Sequence, residues 1–157
     1  MKSEQSSLRR PIVLALVVVV VLVGAWMWMA SRSAHIQRQD GYVLWVSART
    51  SGRDLALLQA PVRWLAEGGC FVGMTNEEWQ PVMFPPGTRM VGGGQNGAVV
   101  RLPGVANPVT IGAEPLVLQG TGGGYDLPSG FEADDACWSA GTSGVLSYNS
   151  EVTILAD

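Results

Sequence analysis

The sequence predicts a mainly β protein: one N-terminal transmembrane helix followed by a single small β domain, built as a barrel or a sandwich. Three observations carry this. A run of 19 uncharged residues, Ile12 to Ala30, stands apart near the N-terminus. Beyond it, apolar or alternating stretches are short and broken by Gly, Pro and Asn. The 2 cysteines, Cys70 and Cys137, both lie in that second part. A chain of 157 residues has room for one domain core.

The N-terminal run reads IVLALVVVVVLVGAWMWMA. At about 1.5 Å per residue it reaches roughly 28 Å as a helix, near the hydrocarbon thickness of a bilayer. Lys2, Arg9 and Arg10 precede it, and Trp26 and Trp28 sit at its far end. The positive-inside bias then gives a cytoplasmic basic tail over 1–11, a transmembrane helix over 12–30 and an extracytoplasmic remainder. The expected localisation is the cell membrane, single-pass, with the lipid bilayer met through residues 12–30. A cleaved signal peptide is the alternative, although the run exceeds the usual h-region and no A-x-A site follows it.

Residues 31–41, SRSAHIQRQDG, are polar and read as a juxtamembrane stalk. The domain over 42–157 follows. Candidate strands are Tyr42–Ser47, Leu57–Leu65, Cys70–Met74, Pro81–Phe84, Ala98–Leu102, Pro108–Ile111, Pro115–Gln119, Ala136–Ser139, Val145–Tyr148 and Glu151–Leu155. Pro85-Pro86-Gly87-Thr88 fits a type II turn, with Gly87 at the position that needs positive φ. Asn149-Ser150 is placed to close a final hairpin. Only Ser51–Gln59 has helical character, stopped by Pro61.

Charge and composition narrow the function. From residue 35 onward six arginines face twelve carboxylates, so the domain is acidic, which argues against nucleic acid as a partner. One His and 2 Cys cannot supply the four ligands of a structural zinc site. In an oxidising compartment Cys70 and Cys137 read as a disulfide. Redox or nucleophilic chemistry is the alternative, but there is no CxxC, and the only imidazole, His35, lies far off in the stalk.

Several motifs are incomplete. Gly92-Gly93-Gly94-Gln95-Asn96-Gly97 satisfies GxGxxG, yet Ala98-Val99-Val100-Arg101-Leu102 after it has the pattern of a strand. A dinucleotide site needs a helix there, so a hairpin loop is expected and no nucleotide. Gly120 to Gly124 lacks the Lys of a phosphate loop and suits a barrel corner. Asp126, Glu132, Asp134 and Asp135 form the densest acidic group, a candidate ligand or metal loop, although their spacing matches no EF-hand. No GxSxG elbow is present. Among Trp45, Trp64, Trp79 and Trp138, which could stack on sugars or peptides, Trp79 in the polar stretch 75–80 is the candidate exposed contact. Leu127-Pro128-Ser129-Gly130 reads as a turn.

Gly69-Cys70, the turn Phe84-Pro85-Pro86-Gly87-Thr88, Val100 to Gly104, Ile111-Gly112 and Gly120 to Gly124 together form a pattern. It resembles that of small membrane-anchored exported proteins of Gram-positive bacteria, which share a Gly-Cys strand, an aromatic-Pro-Pro-Gly turn, a Val-Gly step and a glycine run. The resemblance implies an OB-like barrel and carries over no catalytic residue. The expected function is a membrane-anchored extracytoplasmic binding or scaffolding module of the cell envelope, with an envelope protein as partner, no cofactor and no enzymatic activity. Two alternatives stand: a cell-wall or glycan hydrolase using acids among Asp126, Glu132, Asp134, Asp135 and Glu151, or a cleaved secreted ligand binder.

Overall fold

A computed structural model describes residues 5–30, 33–48, 56–138 and 144–155. It divides into two compact units, one ending at Ser33 and one beginning at Ala34.

The first unit is the helix α1, Gln5–Ala30. Valine favours strands, but a segment without a strand partner satisfies its backbone only through i→i−4 bonds. The expectation of a transmembrane span over 12–30 is corrected: among the described residues no helix is long and apolar enough to cross a membrane. Side chains are described from Val13 to Trp26.

The second unit is all β, as its punctuated sequence predicts. It opens with a hairpin of β1 (His35–Gln39) and β2 (Tyr42–Val46). Residues 35–39 are thus a strand rather than part of a stalk. Asp40 and Gly41 connect them with φ of 52° and 84°, the two positive values of a type I′ turn. The strand is polar because its residues are exposed or half-buried, which hid it from a reading based on apolar runs.

Five strands then pair in a closed ring. β3 (Leu57–Leu65), β4 (Cys70–Thr75) and β5 (Glu78–Phe84) form consecutive antiparallel hairpins. β9 (Leu116–Tyr125) returns to lie beside β3, and β10 (Val145–Tyr148) joins β9 to β5, antiparallel to the first and parallel to the second. Three consecutive strands with the fourth back beside the first make a Greek key. β2 extends this sheet alongside β5. Between β5 and β9 the chain builds a separate sheet of β6 (Arg89–Gly94), β7 (Gly97–Arg101) and β8 (Val109–Ile111).

The expected strand over 136–139 is a 3-10 turn, Asp135–Cys137, with Ser139 outside the described residues. The Asp134 carboxylate accepts the Ala136 N–H at 2.9 Å and the Asp134 carbonyl accepts the Cys137 N–H at 2.8 Å, which winds the segment. The helical character expected over 51–59 is replaced by strand from Leu57, and residues 51–55 lie outside the described residues. The expected final hairpin does not form either. β10 and β11 (Thr153–Leu155) both pair with β9, because the Asn149 N–H donates to the Thr121 carbonyl and keeps the chain on that strand.

The type II turn at 85–88 is present: Gly87 has φ of 93° and the Thr88 N–H donates to the Pro85 carbonyl at 3.1 Å. Tyr148, Phe84, Leu44, Leu102, Ile111 and Leu118 are fully buried and fill the space between the sheets.

Candidate functional site

Cys70 opens β4 and Cys137 ends the 3-10 turn; they form a disulfide with Cα atoms 6.3 Å apart. The bridge fastens the long β9–β10 connection, residues 126–144, to the turn between β3 and β4. That turn is shaped for the bridge. A side-chain carbon on Gly68 would sit 2.7 Å from the Cys137 sulfur and 3.0 Å from the Cys70 sulfur. The next residue, Gly69, takes φ of 62°, which favours glycine. Trp45 of β2 meets Phe131 of the same connection edge to face, with ring centres 5.6 Å apart.

These contacts enclose a cavity of about 190 Å³. Its floor is Cys70 and Phe71 from β4 with Val82 from β5; Gly68 and Gly69 form one side, and Glu132, Ala133 and Asp134 the other. Arg38 of β1 and Val43 and Trp45 of β2 complete the lining among the described residues. Arg38, Glu132 and Asp134 are all exposed at its margin. The cavity thus presents an apolar floor and a rim of both charges, suited to holding a small group by packing and fixing its orientation by charge.

The structure divides the acidic group read from the sequence. Glu132 and Asp134 meet at this cavity, but the Asp134 carboxylate is already engaged in capping the 3-10 turn. Asp126 lies on another cleft, with Gln80 and Tyr125. The Asp135 side chain lies outside the described residues. Among the described residues no cluster of three or more His, Cys, Asp or Glu comes together to hold a metal ion.

Trp79 is half-buried, not projecting. It packs beside the disulfide with Leu65 and Trp138, and the Arg63 guanidinium lies 4.2 Å from its ring centre. Sequence reading missed Arg38, Trp45 and Gly68 as lining residues. They come from separate stretches of chain, and only the glycine pair before Cys70 carried a local signal.

No family model, curated protein or solved structure matches this chain.

Proposed function

We propose that the β unit is an extracytoplasmic binding module of OB-like architecture, engaging its ligand at the disulfide-braced cavity. The observation that carries this reading is the Cys70–Cys137 bridge. Disulfides persist in oxidising compartments and are rare in the cytosol. Here the bridge also ties the β9–β10 connection to the β3–β4 turn, so it holds the lining contributed by both in place.

The ring of three hairpin-connected strands, a returning strand and one parallel closure supports the OB-like assignment. Barrels of that kind bind extended ligands on the face of their second and third strands and in the loops after the first and fourth. In this chain those positions are β4, β5, the β3–β4 turn and the 126–144 connection, which together line the cavity. This is an argument from architecture, and the rim of Arg38 and Glu132 gives it its chemistry.

Thiol labelling in intact cells tests the reading. Cys70 and Cys137 should resist alkylation until a reductant is added, and free thiols in native protein overturn it. A photo-crosslinking side chain at Glu132 should then give adducts of discrete mass that the same group at exposed Thr153 does not.

A further inference from the structure

We propose that a second cleft, walled by Tyr42 and Trp64, binds a neutral saccharide. It shares no lining residue with the disulfide-braced cavity and goes beyond the function proposed there. Its volume is about 690 Å³, within the range of small-ligand sites.

The aromatic wall is rigid before any ligand arrives. The rings of Tyr42 and Trp64 lie 4.7 Å apart and are tilted by 59°. The Tyr42 hydroxyl donates to the Gly94 carbonyl at 2.7 Å, and its ring lies so close to β6 that a side-chain carbon on Gly93 would come within 2.8 Å of it. The backbone N–H of Trp64 donates to the Gly112 carbonyl at 2.6 Å. Its ring continues into the core through Phe71 at 4.9 Å and Phe84 at 5.3 Å. Fixed surfaces of this kind bind with little ordering cost.

The opposite rim is polar. Gln95 and Asn96 form the two-residue turn between β6 and β7, and Thr110 and Glu114 stand beside them, all exposed. Among the described residues the side-chain amides of Gln95 and Asn96 and the carboxylate of Glu114 have no hydrogen-bond partner.

This combination selects a ligand class. Among the described lining residues Glu114 is the only charged one, so a phosphate or carboxylate ligand would meet repulsion there and no counter-charge. A purely apolar ligand would cover amides and a carboxylate without bonding them. A pyranose ring has an apolar C–H face for the aromatic wall and hydroxyls for the amide and carboxylate groups, which satisfies both sides.

The test uses the full chain and titrates three probes: the trimers of N-acetylglucosamine and of glucose, both neutral, and trigalacturonate as the anionic control. Binding is read by tryptophan fluorescence and calorimetry. At least one neutral trimer should bind saturably and trigalacturonate should not. Asn96→Ala and Glu114→Gln, at exposed positions that leave the core intact, should each weaken binding about tenfold. Trp64→Ala should abolish it. Glu132→Gln, in the other cavity, should leave it unchanged. No binding of either neutral trimer, equal binding of the anionic one, or affinity unmoved by both rim variants overturns the proposal. Loss of binding in Glu132→Gln alone also overturns it, placing the sugar at the other cavity.

Discussion

The side chain of Gln37 bonds to β6 as a strand would: its carbonyl accepts the Met90 N–H at 2.8 Å, and its amide donates to the Thr88 carbonyl at 2.8 Å. One glutamine thereby links the β1–β2 hairpin to the smaller sheet, across 53 residues of sequence. Gln37→Ala leaves two half-buried backbone groups without partners, and should cost about 1–3 kcal/mol. Gln37→Glu keeps the acceptor for Met90 but loses the donor to Thr88, so it should fall between. Denaturant unfolding gives the stabilities. Hydrogen exchange at the Met90 amide gives the mechanism: unchanged protection in Gln37→Ala would show that the bond is not formed.

The β4–β5 turn places two non-glycine residues at positive φ, Asn76 at 51° and Glu77 at 68°. Asparagine tolerates this region through its short polar side chain, whereas glutamate carries the full steric cost of a Cβ. The β1–β2 turn uses Asp40-Gly41 for the same geometry, with glycine at the second position. Glu77→Gly should therefore stabilise the protein by about 0.5–1 kcal/mol, the relieved strain outweighing the added freedom of the unfolded chain. A lower midpoint in chemical denaturation would contradict this.

What could be read from the sequence follows the range of the interactions. β3 and β10 were legible to the residue, because alternating or unbroken apolar runs ended at clear breakers. β6 was not, since RMVGGG is half glycine, and β1 was hidden by its polarity. The closure of the ring depends on Leu146 pairing with Val82 and Ser147 with Met83 in parallel, a match between distant segments that leaves no local trace. The disulfide was legible by counting cysteines, yet the cavity it braces was not. The aromatic cleft was equally hidden: Tyr42 and Trp64 meet only because β2 and β3 fold onto one core. The valine run was legible as a helix, but its expected role as a membrane span was not upheld.

The disulfide closes a loop of 67 residues, for which the chain-entropy account gives about 4 kcal/mol. Replacing both cysteines by serine should lower stability by about that amount. Gly68→Ala should cost about 1–3 kcal/mol in the oxidised protein, because the new methyl meets both sulfurs and the turn must shift. The two effects should not add. With Cys137→Ala the nearest obstacle is gone, and Gly68→Ala should become nearly neutral. Additive losses across this cycle would mean that the turn does not rest on the bridge.

Tyr148 is fully buried, and its hydroxyl donates to the Leu118 carbonyl at 3.2 Å. Burial pushes its ionisation far above the ordinary tyrosine range, an effect only partly offset by the backbone of Ala60. A raised folded value means that stability is intact below the unfolded value of about 10 and lost above it. There the unfolded chain gives up a proton that the folded chain retains. Unfolding free energy should thus fall by about 1.4 kcal/mol per pH unit from this residue alone as pH climbs beyond about 10. Absorbance at 295 nm, followed alongside circular dichroism, checks it: the Tyr148 phenolate should appear only with loss of β structure. Tyr148→Phe should remove that share of the alkaline decline while starting about 1 kcal/mol lower, because the Leu118 carbonyl loses its donor. Ionisation of Tyr148 in a chain that stays folded would show that the ring is reached by solvent, and would place the hydroxyl outside the core.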